Sequence, residues 1–309
     1  MKHAGRASPR SPVLPAGPIR AWPSNWRSTF ERPAHLRRCL VALDVQRGVA
    51  GRFEVVVTDD GSRDGTTRLV SALAGSVSYP LSFTTHDHAG FRLARCRNEG
   101  AAASTAPYIL FTDGDCVLPP DHLRIHLEER RPGWIVAGDC FRLDPAVSKR
   151  LDARSIREGG SGAFVPRGER RRIAVKALRA KVYQMLRVPL RPRVSGSNMA
   201  LWRSDFERVN GFDERFVGWG LEDVDLQWRL ARAGVRSRTI LHRTAAIHLW
   251  HEPAATFVRN GIGTANRWYV DDPTRPTFCR DGLVKPDDAA RVVPLSLPAA
   301  FRERRRIAA

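Results

Sequence analysis

Short apolar runs alternating with helix-forming stretches predict an α/β fold whose sheet is mostly parallel. Two of those runs end in acidic residues, Asp59-Asp60 and Asp113-Gly114-Asp115. Ligands of such sheets bind beyond the carboxyl ends of the strands, so two acidic strand ends mark one rim of the sheet as a site. The length, 309 residues with 42% hydrophobic content, is enough for one large domain or two closely joined halves.

Residues 1 to about 30 are rich in Pro, Arg and Ser and read as a disordered basic N-terminus. The first half, residues 31–145, opens with a helix from Pro33 to Leu43 that puts Leu36, Cys39, Leu40 and Leu43 on one face. Phe53-Glu54-Val55-Val56-Val57-Thr58 is β-branched and apolar, the pattern of a buried strand. Gly61 lets the chain turn behind it, and Asp64 can cap a helix from Thr66 to Leu73. Tyr79 to Thr84 reads as a second strand, Leu93 to Ala103 as a helix and Tyr108-Ile109-Leu110-Phe111 as a third strand. A helix follows Pro120, and Trp134-Ile135-Val136-Ala137 gives a fourth strand.

The pattern breaks over residues 146–194. Between 149 and 193 there are 14 Lys or Arg against 3 acids. Arg170 to Leu186 can form a basic amphipathic helix with Leu178, Val182, Met185 and Leu186 on one side, suited to an anionic membrane surface or to packing on the core. A second half, residues 195–285, holds a helix from Glu222 to Ala233 closed by Gly234 and a strand-like stretch from Ser237 to Leu241. Residues 286–309 form a basic tail.

The net charge of +19 points to an anionic partner or to an arginine-rich composition without function. The 149–193 stretch has only Phe164 and Tyr183 as aromatics, which argues against nucleic acid as that partner. The five cysteines contain no CxxC pair, so a disulfide framework or zinc site is not expected, and a reducing cytoplasm fits. No run of eighteen apolar residues spans a membrane.

Four groups of residues can carry chemistry. Asp113 and Asp115 offer hard oxygen ligands for Mg²⁺ or Mn²⁺ against a diphosphate, although Asp-Gly is also common in plain turns. Asp59 and Asp60 can accept a uracil N–H or a ribose hydroxyl, and Arg97 can face phosphate or brace the acids. Glu222, Asp223 and Asp225 crowd a helix start, where acids are stabilised anyway; three such neighbours also raise one carboxyl towards the range of a useful base. Trp219, between Gly218 and Gly220, can swing over a sugar ring, and His248 or His251 can complete a cation site.

Together these motifs resemble the inverting glycosyltransferases of family 2, with a galactosyltransferase-type C-terminal region from Gly196-Ser197-Asn198-Met199 to His248-Leu249-Trp250-His251. The resemblance covers roughly residues 31 to 255 and rests on Val57 to Ser62, Asp113-Gly114-Asp115 and Trp219 to Asp225 in combination. It implies the GT-A fold, a mixed, mostly parallel sheet flanked by helices, and transfer from a nucleotide-diphospho-sugar, with UDP expected, to a glycan or lipid-linked hydroxyl. In that family's pattern Asp60 would contact the base, Asp115 would hold Mn²⁺ or Mg²⁺, and His248 or His251 would complete the metal site. Asp223 would be the general base, with Glu222 and Asp225 near the acceptor sugar, and Trp219 and Gly220 are expected among the substrate-binding residues. The cysteines place the expected work in the cytoplasm, and the basic 149–193 stretch adds an expected peripheral contact at the inner membrane face.

The chain departs from the family at its start. An apolar strand ending in a Pro-Thr-Tyr-Asn-Arg-like turn is usual there, whereas Arg27 to Pro33 keeps only the end of it and Pro18 to Pro23 makes a poor strand. That departure motivates the rival expectation of a catalytically impaired relative, beside the charge-based rival of a nucleic-acid-binding protein.

Overall fold

The computed structural model describes residues 19–24, 32–253, 257, 266–270, 272 and 274–285. The basic tail expected over 286–309 lies outside them, as does most of the N-terminal segment. In chain order the strands are β1 (Ile19–Ser24), β2 (Phe53–Asp59), β3 (Leu81–Thr85), β4 (Tyr108–Asp113), β5 (Cys116–Val117), β6 (Trp134–Ala137), β7 (Cys140–Arg142), β8 (Asn198–Trp202), β9 (Arg236–Thr239) and β10 (Ala246–His248). The helices are α1 (Pro33–Asp44), α2 (Thr66–Ala74), α3 (Leu93–Ala102), α4 (His122–Glu129), α5 (Pro145–Arg150), α6 (Ala153–Arg157), α7 (Arg167–Met185), α8 (Arg203–Arg208), α9 (Glu222–Arg232) and α10 (Arg267–Val270).

The main sheet runs β3-β2-β1-β4-β8-β6-β9. Its β1–β2, β1–β4, β2–β3 and β6–β9 pairs are parallel, and β8 runs antiparallel between β4 and β6. β2 and β4 read as continuous apolar runs because helices cover both faces of a central parallel strand, and every residue of β4 is buried. One core lies on the α1 and α2 face, around Leu36, Leu40, Val55, Val57 and Leu110. The other holds Phe111, Phe206 and Phe212, whose ring centroids lie 5.3–5.7 Å apart, and it joins residues of both expected halves. The two halves are thus sewn into one sheet.

Two strands of the main sheet differ from the sequence-based expectation. Ile19–Ser24 is not disordered but sits at the centre of the sheet, paired with β2 on one side and β4 on the other. Backbone N–H and C=O groups make both ladders, so a sequence with weak strand propensity is held by neighbours that have strong propensity. β8, absent from the pattern reading, supplies the antiparallel seam between the halves.

A second, three-stranded sheet, β5-β10-β7, stands at the carboxyl ends of the main strands. Its register sets His248 opposite Cys116, one residue from Asp115. The basic helix forms as α7, yet it packs through Ile173 and Ala177 against Leu241 and Ala245, with Ala180 also buried. The apolar side expected to define it therefore faces outward: Leu178 and Leu186 are each 65% exposed and Met185 77%. Among the described residues no helix is long and apolar enough to cross a membrane.

Candidate active site

The site is built at the strand ends. β2 delivers Asp59 and Asp60. The Asp59 Oδ2 accepts from the Ser62 N–H at 2.7 Å and the Thr85 hydroxyl at 2.9 Å, while its buried Oδ1 has no partner among the described residues. That open acceptor is the one a ligand N–H or hydroxyl would satisfy, because a buried unpaired oxygen is costly. Asp60 pairs with His86 Nε2 at 2.8 Å, and His86 Nδ1 pairs with Glu99 at 2.8 Å. Burial opposes charge on His86, but the bonds to Asp60 and Glu99 outweigh it and push its pKa up to about 9. Gly61 is required here: its φ is +83°, and a side chain would run into the backbone of residues 86–88. The sequence reading missed His86; the signal it left was a histidine at the end of a strand, beside the acidic turn in the sheet.

β4 delivers Asp113 and Asp115. Asp115 accepts from His251 Nε2 at 2.9 Å, with His248 Nε2 at 3.6 Å. Burial would raise the Asp115 carboxyl, but the two imidazoles hold it well below the usual range. The ligand-type atoms of Asp115, His248 and His251 all lie within 4.8 Å of one another. One carboxylate and two imidazoles form a mixed O/N donor set that fits a divalent ion of the Mn²⁺ kind better than Mg²⁺, which prefers oxygen throughout. Asp115 and both histidines come from residues more than a hundred apart, joined by the β5–β10 register.

Arg97, on α3, is the hinge of the site. It is fully buried and donates to Asp113 Oδ1 at 3.3 Å and to Glu222 Oε1 at 2.9 Å, with its guanidinium 5.1 Å over the Phe212 ring. Burial disfavours its charge, and the neighbouring Asp113 and Glu222 more than restore it. Burial first, then the neighbouring acids, pushes Asp113 up to about 7; Glu222 rises to about 7 through burial and the charge of Asp223. The carboxyl raised by crowding is thus the one at 222. Of the two roles open to Arg97, phosphate contact and bracing of the acids, its geometry serves the second.

Asp223 is half-buried, and its Oδ2 accepts from the Gly196 N–H at 3.1 Å. Gly196 is needed because a Cβ there would fall inside the Arg97 guanidinium. α9 starts from Leu221 with φ +77°, a strained position for a branched residue and of the sort found at functional sites. Gly218 and Gly220 also have positive φ, and between them Trp219 meets Phe257 edge-on at 4.6 Å. Asp225 is a correction. It points inward, 0% exposed, and is gripped by Arg229 Nε at 2.7 Å and Arg275 Nε at 3.2 Å. Two positions along a helix turn a side chain by roughly 200°, so Asp225 faces the core while Asp223 stays partly exposed. It braces α9 from the core side.

This fold is the GT-A fold of nucleotide-sugar transferases. Residues 28–142 match the profile of glycosyl transferase family 2, and residues 182–252 match the one described as the N-terminal domain of galactosyltransferase. The chain belongs to family 2, with that galactosyltransferase-type region following. Among its relatives, the validoxylamine A glucosyltransferase of Streptomyces hygroscopicus subsp. jinggangensis is 31% identical over 241 residues, 72% of this chain and 54% of that one. The hyaluronan synthase of Pasteurella multocida is 27% identical over 235 residues, 69% of this chain and 23% of that one. The chain therefore spans about half the length of the glucosyltransferase, or less of other relatives. Similar solved structures include S. aureus TarS with UDP-GlcNAc, at 15% identity and TM-score 0.52, covering 78% of this chain and 62% of TarS. Another is a Pyrobaculum calidifontis mannosyltransferase with GDP-Man and Mn²⁺, at 18% identity and TM-score 0.50, covering 76% of this chain and 58% of that one.

Proposed function

We propose that the chain is an inverting glycosyltransferase that moves a sugar from a nucleotide-diphospho-sugar, a UDP-sugar, to a hydroxyl of a glycan or lipid-linked acceptor. The observation that carries this reading is the Arg97 bridge. One buried guanidinium ties Asp113, next to the Asp115-His248-His251 trio, to Glu222, next to Asp223. A site for a leaving diphosphate and a carboxylate for an attacking hydroxyl thus surround one centre.

Asp59, through its open Oδ1, and Asp60 bind the nucleoside end of the donor. A divalent cation, Mn²⁺ or Mg²⁺, held by Asp115, His248 and His251 would offset the charge that develops on the departing diphosphate. Asp223 takes the proton from the acceptor hydroxyl as that oxygen attacks the anomeric carbon from the face opposite the diphosphate, so the configuration inverts. The Gly196 N–H keeps the Asp223 carboxylate aimed during that transfer. Trp219 covers the apolar face of a sugar, and Gly220 leaves the backbone beside it open. The outward stripe of α7, Val175, Leu178, Val182 and Met185, set among Lys and Arg, supports peripheral contact with the inner membrane face.

The test is UDP release across a panel of donor sugars, with the anomeric configuration of the product read by NMR. Asp223→Asn should lower turnover by about 10²–10⁴-fold, the usual worth of a general base. No UDP binding in Mn²⁺ and no release from any donor would remove the reading, and a product of retained configuration would remove the single displacement.

A further inference from the structure

A groove of about 630 Å³ lies between α7 and the segment from Arg191 to Arg193. Arg171, Arg172, Lys176, Arg179, Arg191 and Arg193 line it, and no carboxylate does. Arg172 pairs with Glu169 at 2.8 Å and with Asp139 at 3.6 Å, and Lys176 pairs with Asp139. Arg171, Arg179 and Arg193 pair with no acid among the described residues, and the Arg191 guanidinium lies 5.5 Å over the Tyr183 ring, which fixes its plane. The Val175, Ala180 and Pro192 side chains add an apolar lining.

Both walls are fastened to the loop that holds Asp223. Arg193 stands three residues before Gly196, a span of at most about 10 Å. The Pro192 carbonyl accepts from Gln227 at 2.8 Å, one turn along α9 from Asp223. On the other wall, the Asp139 that receives Arg172 and Lys176 accepts from Asn198 Nδ2 through its carbonyl at 3.0 Å. The groove therefore shares its walls with the segments on either side of the Gly196 contact to Asp223. It does not belong to the donor's nucleoside end: Asp139 follows β6, four strand positions from β2, or about 19 Å at about 4.8 Å per strand.

We propose that this groove is an acceptor subsite for an anionic chain, whose phosphate or carboxylate oxyanions flank the hydroxyl that receives the sugar. Arg171, Arg179, Arg191 and Arg193, gathered in one hollow with no acidic partner among the described residues, repel each other, and an oxyanion ligand turns that repulsion into binding. Guanidinium forks match phosphate and carboxylate in two-point contacts, and a concave wall gathers several at once, which a solvated convex face does not. The subsite deepens the reading of a glycosyltransferase and rests on it, since it supposes that an acceptor reaches Asp223.

The experiment titrates the full chain, with UDP and Mn²⁺ present, with a hyaluronan octasaccharide as carboxylate probe, a glycerol-phosphate oligomer as phosphodiester probe and maltooctaose as neutral probe. A double variant, R179Q/R193Q, is compared with R154Q/R157Q, which removes the same charge from exposed positions on α6. At least one anionic probe should bind, more weakly as salt rises, and R179Q/R193Q should weaken it tenfold or more while R154Q/R157Q changes it less than twofold. Equal binding by both double variants, or no anionic binding by the wild type, overturns the subsite. So does loss of flotation with anionic vesicles in R179Q/R193Q at unchanged oligomer affinity, which would assign the groove to a bilayer. A separate UDP titration reports on the glycosyltransferase reading, and the oligomer titrations are read whether or not UDP binds.

Discussion

Replacing Arg97 with methionine keeps the length of the stem and removes the charge. Asp113 and Glu222 would then share a dry centre without a cation. Breaking a buried ion pair by taking one partner costs about 3–5 kcal/mol. Both carboxyls already stand at about 7, and losing Arg97 moves them higher, so near neutral pH each can take a proton and hold the cost at the lower end. At about 2–4 °C per kcal/mol for a chain of this size, the melting temperature should fall by about 6–12 °C. The deficit should grow from pH 6 to pH 8, because the unpaired carboxyls must ionise as pH rises. Circular dichroism melts at the two pH values measure it. Gly196→Ala extends the test, since its new methyl collides with the guanidinium only while Arg97 is present. The double variant should be less damaged than the sum of the singles, by about 0.5–3 kcal/mol. A melting shift under 2 °C that ignores pH, or strict additivity with Gly196→Ala, would refute the account of Arg97 as the brace of the centre.

Other outcomes follow from the same geometry. His86 is raised from 6.5 to about 9, so its contribution, about 3 kcal/mol from the shift, is whole below pH 6.5 and lost as pH rises through 9. The melting gap between wild type and His86→Gln should close over that window, and a gap constant from pH 6 to 10 would count against it. Asp115→Asn should weaken Mn²⁺ binding at least tenfold by calorimetry with the fold intact by circular dichroism; unchanged affinity would move the cation elsewhere. Phe212→Ala empties a fully buried site shared with Phe111, Phe206 and Arg97 and should cost about 3–5 kcal/mol in urea unfolding. A loss under 1 kcal/mol would mean the core closes over the gap.

Much of the donor side was legible in the chain. β2, β4 and β6 are β-branched or apolar runs closed by turn residues, and α9 carries acids at its start and Arg229 and Arg232 at its end, in line with the helix dipole. Each of those signals is local, spread over fewer than a dozen residues. Strand ends then placed Asp59, Asp60, Asp113 and Asp115 on one rim without knowledge of strand order.

What local signals could not carry was decided by partners far along the chain. Ile19–Ser24 is a strand because β2 and β4 offer it two ladders, a matter of backbone pairing that side chains hardly report. Arg97 became the brace through Asp113, 16 residues away, and Glu222, 125 away. The half-turn between positions 223 and 225 separated a partly exposed carboxylate from one locked by Arg229 and Arg275, although the sequence shows three equal acids. The apolar side of α7 was readable from its spacing; its outward direction was not, because Ile173 and the small Ala177 are what fit against Leu241 and Ala245. Periodicity is a property of neighbours, and the sequence carries it whole; which groups meet in a dry interior depends on how the sheet closes, and only the folded chain settles that.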